Sequence, residues 1–188
     1  MLQFSPVSRN LIFICVAVFI IQMITQGRAT DYLQLYPVDH PNFRPYQLFS
    51  YMFAHGDFSH IFFNMLMLAF TAPMLEMIWG QQRMLIYYVA TGIGAALIYV
   101  GVELFLNPLA GHPMIGASGA IYGLLMAFGL LMPEREIQLL FPPVRIKAKY
   151  LVFILGGITF FFGGANVAHA AHFGGAFVGF LMIKVFKF

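Results

Sequence analysis

Residues 116–123 read Gly-Ala-Ser-Gly-Ala-Ile-Tyr-Gly, at the head of an apolar stretch that continues to about residue 132. A serine between glycines is ordinary in a soluble loop, but this one opens a segment too apolar for water. Farther on, residues 171–179 read Ala-His-Phe-Gly-Gly-Ala-Phe-Val-Gly, again at the head of an apolar stretch. The surrounding chain is of the same kind. It has 188 residues, 61% hydrophobic and 9% charged, where a soluble domain averages about 25% charged. A domain of this length cannot hide so much apolar surface from water, so the bilayer must be its solvent. The length fits one compact domain, 1–188, and the single cysteine, Cys15, excludes an intramolecular disulfide.

Six apolar stretches approach the roughly 20 residues that cross a hydrocarbon core. They lie at about 9–26, 59–79, 84–106, 116–132, 148–164 and 167–186. The predicted fold class is therefore all-α, a polytopic membrane protein built as a six-transmembrane-helix bundle. The first stretch has a second reading as a secretory signal peptide, because Gly27-Arg28-Ala29 loosely resembles a cleavage site. Its removal would leave an odd number of spans and weaken the charge pattern. With the N-terminus inside, the cytoplasmic cations are Arg9, Arg83, Arg135, Arg145, Lys147, Lys149, Lys184 and Lys187, against Arg28 and Arg44 outside. That positive-inside bias predicts two cytoplasmic termini in the cell membrane, with the second, fourth and sixth helices running from outside to inside.

The loops are unequal. Residues 27–58 carry Tyr32, Tyr36, Phe43, Tyr46, Phe49, Tyr51 and Phe53, and Pro37, Pro41 and Pro45 break them. This segment cannot span and is too aromatic for a free linker, so it is expected partly at the headgroup level. Residues 133–147 form a short basic inner loop in which Pro142-Pro143 prevents helix continuation. The chain shows no repeat and no low-complexity tract.

This topology brings His60, Ser118 and His172 to the outer face at comparable depth, each at the head of its helix. Polar residues inside a membrane segment are costly and usually mark function. Ser118 is the candidate nucleophile and His172 the candidate base, provided its ring comes within about 3 Å of the hydroxyl. Gly119 and Gly123 on one helix, and Gly175 and Gly179 on the other, have the spacing of close membrane packing. The alternative reading is that these glycines only pack helices and Ser118 bonds to its own backbone. His60 and Asn64 share a helix face. They either donate to the negative charge that develops when an amide is hydrolysed or bridge helices. Tyr122 lies one turn below Ser118, where it can orient the His172 ring. Asp31, Asp39 and Asp57 fall in the outer loop, Glu76 near the inner end of the second helix, and Glu103 near the outer end of the third. None suits the third role of a triad, which leaves a dyad.

These residues resemble the rhomboid family of intramembrane serine proteases, over most of the chain. Gly116-Ala117-Ser118-Gly119 looks like the family's Gly-x-Ser-Gly motif. Ala171-His172 with Gly175 and Gly179 looks like its Ala-His-x-x-Gly-x-x-x-Gly helix, and His60-Ile-Phe-Phe-Asn64 like its His-x-x-x-Asn. The resemblance implies Ser118 as nucleophile, His172 as base, and an oxyanion hole made of His60, Asn64 and the Ser118 backbone N–H. It also implies supporting roles for Gly116, Gly119 and Tyr122, the last packing on the catalytic histidine. Glu76, Gly80 and Arg83 fit the family pattern after the second helix. Where the family's first outer loop often carries Trp-Arg, this chain has Phe43-Arg44, and its one tryptophan, Trp79, lies at the opposite, inner end. Six helices without a seventh or a cytoplasmic domain resemble the compact prokaryotic form. The implied substrates are single-pass membrane proteins with small residues at the cleaved bond and helix-breaking residues nearby. The implied cavity is water-filled and open to the outside, with the fifth helix and the turn Gly163-Gly164-Ala165-Asn166 as gating elements.

Other classes fit less well. No His-Glu-x-x-His marks a metalloprotease, and every aspartate lies in a loop, which disfavours an aspartyl protease. His60, His169 and His172 lack a carboxylate or thiol to complete a metal site, so no metal and no organic cofactor is expected. His40, His55 and His112 belong to the outer loops, where His55 is a candidate to hold loop structure. A transporter would show inverted repeats or paired broken helices. A catalytically dead, client-binding relative would lack the serine or the histidine. Nucleic-acid binding is unsupported, because anionic membrane lipids account for the basic inner face.

Overall fold

The computed structural model describes residues 5–106, 112–138, 143–162 and 166–188. Residues 163–165, most of the expected gating turn, lie outside the described residues, as does Pro142. The chain forms α1 (Pro6–Ile24), α2 (Arg28–Leu33), α3 (Gln47–Ser50), a 3-10 turn (Tyr51–Phe53), α4 (Phe58–Leu106), α5 (Ser118–Leu131), β1 (Glu136–Gln138), β2 (Arg145–Lys147), α6 (Ala148–Phe162) and α7 (Asn166–Lys184). Among the described residues, α1 and Phe58–Phe105 are long and apolar enough by themselves to cross a membrane, while Ser118–Leu131 and Ala148–Thr159 are shorter apolar helices.

The second and third apolar stretches are read from sequence as separate helices with a four-residue break. In the structure one interruption suffices. Gly80, at φ 77 and ψ 169, is the only non-helical residue of α4. Glycine reaches that conformation without steric cost. It divides α4 into arms 58–79 and 81–106. His60 of the first arm and Ala95 of the second both lie beside the head of α5, within reach of Gly116 and Gly119 respectively. The two arms therefore fold back on each other.

Helix α5 is the centre of the bundle. Ten of its 14 residues are buried, on every side of the helix, as befits a core element that is apolar all round. Its contact with α7 is backbone to backbone. A Cβ on Gly175 would lie 1.8 Å from the Gly119 carbonyl oxygen, and one on Gly179 would lie 3.1 Å from the Gly123 Cα. On the α4 side, a Cβ at Gly123 would lie 2.5 Å from that of Thr91, and one at Gly119 2.8 Å from that of Ala95. Both faces of α5 are thus glycine-lined seams, the small-residue packing that membrane helices use to approach closely.

Helix α1 is held at both ends. At its head the buried Glu76 carboxylate accepts from the Val7 N–H at 3.2 Å and from the Ser5 hydroxyl, placing negative charge at a helix N-terminus. Toward its foot, buried Gln22 donates to the His55 carbonyl and accepts from the His55 amide, both at 3.1 Å.

Two segments hold more structure than their sequence reading gives them. Within 27–58, Tyr32, Tyr46 and Phe49 are exposed, but Leu35, Tyr36, Tyr51 and Met52 are buried. The Tyr51 hydroxyl donates to the Gly92 carbonyl at 2.8 Å, so this part of the segment is anchored in the bundle. The fold is mostly helical, as the all-α reading expects, but the basic segment 133–147 is read as a short inner loop. The structure instead pairs β1 with β2 as a small antiparallel ladder, Ile137 opposite Ile146. The isoleucines are half-buried and the charged neighbours point out, an alternation of period two that a helix-length scan misses.

The α5–α7 seam predicts the effect of one methyl group. Gly175→Ala must separate the two helices and should destabilise the protein by about 3 kcal/mol, the upper end of what overpacking typically costs. Gly157→Ala, whose added Cβ would meet nothing within 4 Å, should be neutral or slightly stabilising. Thermal unfolding of both variants in detergent checks the contrast.

Candidate active site

Ser118 is the first residue of α5. The chain reaches it through Gly116, whose φ of +115 is closed to side chains without strain, and the Gly116 amide donates to the Tyr51 carbonyl at 2.9 Å. His172 lies in the second turn of α7. The Gly119–Gly175 contact sets the two helices in register, and the His172 Nε2 comes 2.9 Å from the Ser118 Oγ. With the hydroxyl donating, Nε2 accepts and Nδ1 carries the ring proton. Nδ1 is buried and has no hydrogen-bond partner among the described residues. The ring is gripped instead through its face. Tyr122, one turn beyond Ser118, stacks on it with centroids 4.2 Å apart and planes 14° apart.

The opposite wall comes from the head of α4. Asp57 caps that helix: its Oδ1 accepts from the Ser59 hydroxyl at 2.6 Å and from the His60 N–H at 2.8 Å. These two bonds, the Ser59 one foremost, hold the Asp57 carboxyl below its usual pKa. The Gly56 N–H donates to His60 Nδ1 at 3.3 Å. A neutral His60 therefore carries its proton on Nε2. That nitrogen faces the loop before Ser118, and a Cβ on Gly116 would lie 2.6 Å from it. Asn64, 7% exposed, donates to the His60 carbonyl at 2.8 Å, which uses one of its two amide protons and leaves the other.

A cavity of about 1060 Å³ joins these groups. Its lining includes Ser118, His172, His60, Asn64, Tyr122 and Gly116. Gly119 is absent from the lining because it lies in the α5–α7 seam. His169 also lies away from this cavity, on the far side of the Tyr122–His172 stack. Among the described residues, no three His, Cys, Asp or Glu side chains are grouped to hold a metal. The cavity also takes in Tyr51, His112 and Thr159, none of which the sequence reading placed there. Thr159 carried a usable signal, being a hydroxyl inside an apolar helix. Tyr51 and His112 carried none, because their place depends on how two loops fold over α5.

His55 lies behind His60, their ring centroids 5.1 Å apart and the planes at 69°. It is 1% exposed. Burial first, and then the positive charge of a protonated His60, push its pKa from 6.5 down to about 4, while its contact with the Phe53 carbonyl opposes the shift. A depressed folded-state pKa means that the unfolded chain takes up this proton first. The neutral ring's contribution to stability is whole above pH 6.5 and is lost as the pH falls through about 4. Thermal unfolding midpoints measured across that window should fall for the wild type, and His55→Asn should flatten the slope.

Residues 42–187 match the model of the Rhomboid domain. The chain is 27% identical over 184 residues to the Rhomboid protease GlpG of Yersinia pestis (strain Pestoides F), an alignment covering 96% of this chain and 62% of that protein. The protein of the same name from Yersinia enterocolitica serotype O:8 / biotype 1B is 28% identical over the same shares. The chain thus spans 62% of the length of the curated relatives it matches.

Proposed function

The chain belongs to the rhomboid family, a family of multi-pass membrane proteins, and we propose that it is a serine endopeptidase that hydrolyses peptide bonds in or near transmembrane segments. The observation that carries this reading is the 2.9 Å contact between Ser118 Oγ and His172 Nε2, made across two helices at the wall of a cavity large enough for a peptide. The Ser118 Oγ attacks the scissile carbonyl carbon while His172 Nε2 takes the hydroxyl proton. The carbonyl oxygen becomes an oxyanion. The His60 Nε2–H, the spare Asn64 amide proton and the Ser118 N–H, which as a first-turn amide has no intrahelical acceptor, receive it. His172 then gives its proton to the leaving amine as the carbon–nitrogen bond breaks, leaving an acyl-serine. Water, deprotonated by His172, attacks the acyl carbon, and the serine leaves with that proton.

In this reading Tyr122 orients the base, and Gly116 and Gly119 clear space for His60 and for α7. The substrates are single-pass membrane proteins whose segments enter the bundle with small residues at the cleaved bond. Eight of the ten Lys and Arg residues fall on one side of the bundle in the six-span topology. This supports cytoplasmic termini and a site toward the outer face of the cell membrane. Water is the only co-reactant.

The test is cleavage of a single-pass membrane reporter by the purified protein in detergent. Ser118→Ala and His172→Ala should abolish cleavage, and a metal chelator should leave it unchanged. Cleavage that survives either substitution would sink the dyad. A fluorophosphonate that labels the wild type but not Ser118→Ala separates an enzyme from a client-binding relative. Replacing either oxyanion donor, as in His60→Ala or Asn64→Ala, should lower kcat by about 10²–10³ with little change in KM.

A further inference from the structure

Behind the His172 ring lies a second cavity. A crevice of about 540 Å³ runs between α5, α6 and α7, lined by Met126, Val152, Phe153, His169, Phe173 and Phe177 among others. It shares three residues with the front cavity: Tyr122, Thr159 and His172. These three side chains form the wall between the two spaces. One face of the wall is the Tyr122–His172 stack. Its outer edge is a contact of 3.1 Å between the Tyr122 Oη and the Thr159 Oγ1 on α6. The same Thr159 oxygen lies 3.1 Å from both the Leu155 and the Gly156 carbonyl oxygens. A carbonyl only accepts, and a threonine hydroxyl has one proton. That proton goes to its own helix, so the Tyr122 phenol is the donor to Thr159. The phenol ring runs past Gly156, where a Cβ would lie 3.9 Å from its Cε1.

This bond matters because of how His172 is held. Its Nδ1 has no partner among the described residues, so the ring plane is set by the Ser118 contact and by the face of Tyr122. The Tyr122 Oη lies on the long axis of its ring, so a hydrogen bond there fixes where the far end of the ring sits. We propose that Thr159 is a positioning residue for the reaction: by anchoring the Tyr122 phenol it fixes the far end of the ring on which His172 stacks, and so links the position of α6 to the alignment of the base. The inference rests on the dyad reading above. It assigns Thr159 no contact with the reacting atoms.

The experiment measures the rate at which a fluorophosphonate probe labels the protein in proteoliposomes, over a range of probe concentrations. Thr159→Val keeps the shape and removes the hydroxyl. It should lower the maximal labelling rate about tenfold, the scale of one lost hydrogen bond, and leave the half-saturating concentration within about twofold. Thr159→Ser should restore the rate. Tyr122→Phe should match Thr159→Val, and the double variant should be no slower than either, because both remove the same bond. Unchanged labelling in Thr159→Val, no rescue by serine, or losses that multiply in the double variant would each overturn the proposal. Thermal unfolding is recorded for every variant. If Thr159→Val does not fold, Tyr122→Phe alone must show the tenfold loss, and wild-type labelling by Tyr122→Phe then rejects the anchor. Ser118→Ala runs beside them. Labelling that persists there rejects the dyad, whereas Ser118-dependent labelling that ignores Thr159 rejects only the anchor.

Discussion

Helices α5 and α7 meet backbone to backbone at Gly119 and Gly175: any atom added to Gly175 would sit on the Gly119 carbonyl. Lipid tails are as apolar as leucine, so no hydrophobic force draws membrane helices together, and close packing with interhelical bonds must do it. The glycine seam supplies the first. It also fixes register, because each glycine fits only opposite its partner. Ser118 is one residue from Gly119 and His172 three from Gly175. A shift of one turn, about 5.4 Å, would separate hydroxyl and imidazole beyond any hydrogen bond. The same glycines that allow the helices to touch therefore set the 2.9 Å contact on which the proposed chemistry depends.

His172, the proposed base, has no partner at Nδ1 among the described residues and needs another source of orientation. In a soluble triad the acid selects the tautomer and holds the ring, and its loss costs about 10⁴ in rate. Here the serine hydroxyl selects the tautomer, since its donation to Nε2 leaves the proton on Nδ1. The ring plane is held by a stacked phenol. Stacking restrains tilt well and in-plane rotation poorly, and the Ser118 contact restrains the latter. His60 is treated differently. Its tautomer is set by a backbone amide, Gly56 N–H to Nδ1, so its remaining proton faces the cavity without help from any acid. Both imidazoles are thus prepared by neutral groups, which suits a site where an unpaired charge would be costly.

Much of this was legible in the sequence, for stated reasons. The glycine spacing in 119–123 and 175–179, and the serine and histidine beside it, are local patterns, and helical geometry turns each into a face. The six apolar stretches are likewise local, and each holds a helical run. What escaped was whatever depends on the path between helices. The aromatic segment 27–58 reads as partly interfacial from its composition, and composition cannot say which rings turn inward. Tyr51 does, with its hydroxyl on the Gly92 carbonyl, while the neighbouring Met52 fills the space that Gly92 leaves. The break between the arms of α4 reads as four residues from charge and polarity, but a single glycine at positive φ turns the chain. The β1–β2 ladder is three residues a side, too short to register against the basic character of its loop. Thr159 reads as one polar residue among many apolar ones until α6 is laid against α5.

Helix α1 shows how far the site's support extends. It touches none of the reacting groups, and its buried set is small: Ser8, Leu11, Cys15 and Gln22. Two of these four are polar enough to matter in a dry interior. Gln22 holds both backbone groups of His55, and His55 backs the His60 ring. Gly56, next in the chain, gives His60 its tautomer, so the path from α1 to His60 is short and made of hydrogen bonds and one ring contact. At the other end, Glu76 ties the head of α1 to the first arm of α4, the same arm that carries His60 and Asn64. The arm is thus fixed at both ends relative to α1, as α5 is fixed relative to α7. Ser118 and His172 are set by one pair of helices and His60 and Asn64 by another, and the two pairs meet where Gly116 gives way to His60. A side chain at position 116 would push these two assemblies apart while leaving each intact. Glycine there is required for the halves of the site to meet as well as for the turn.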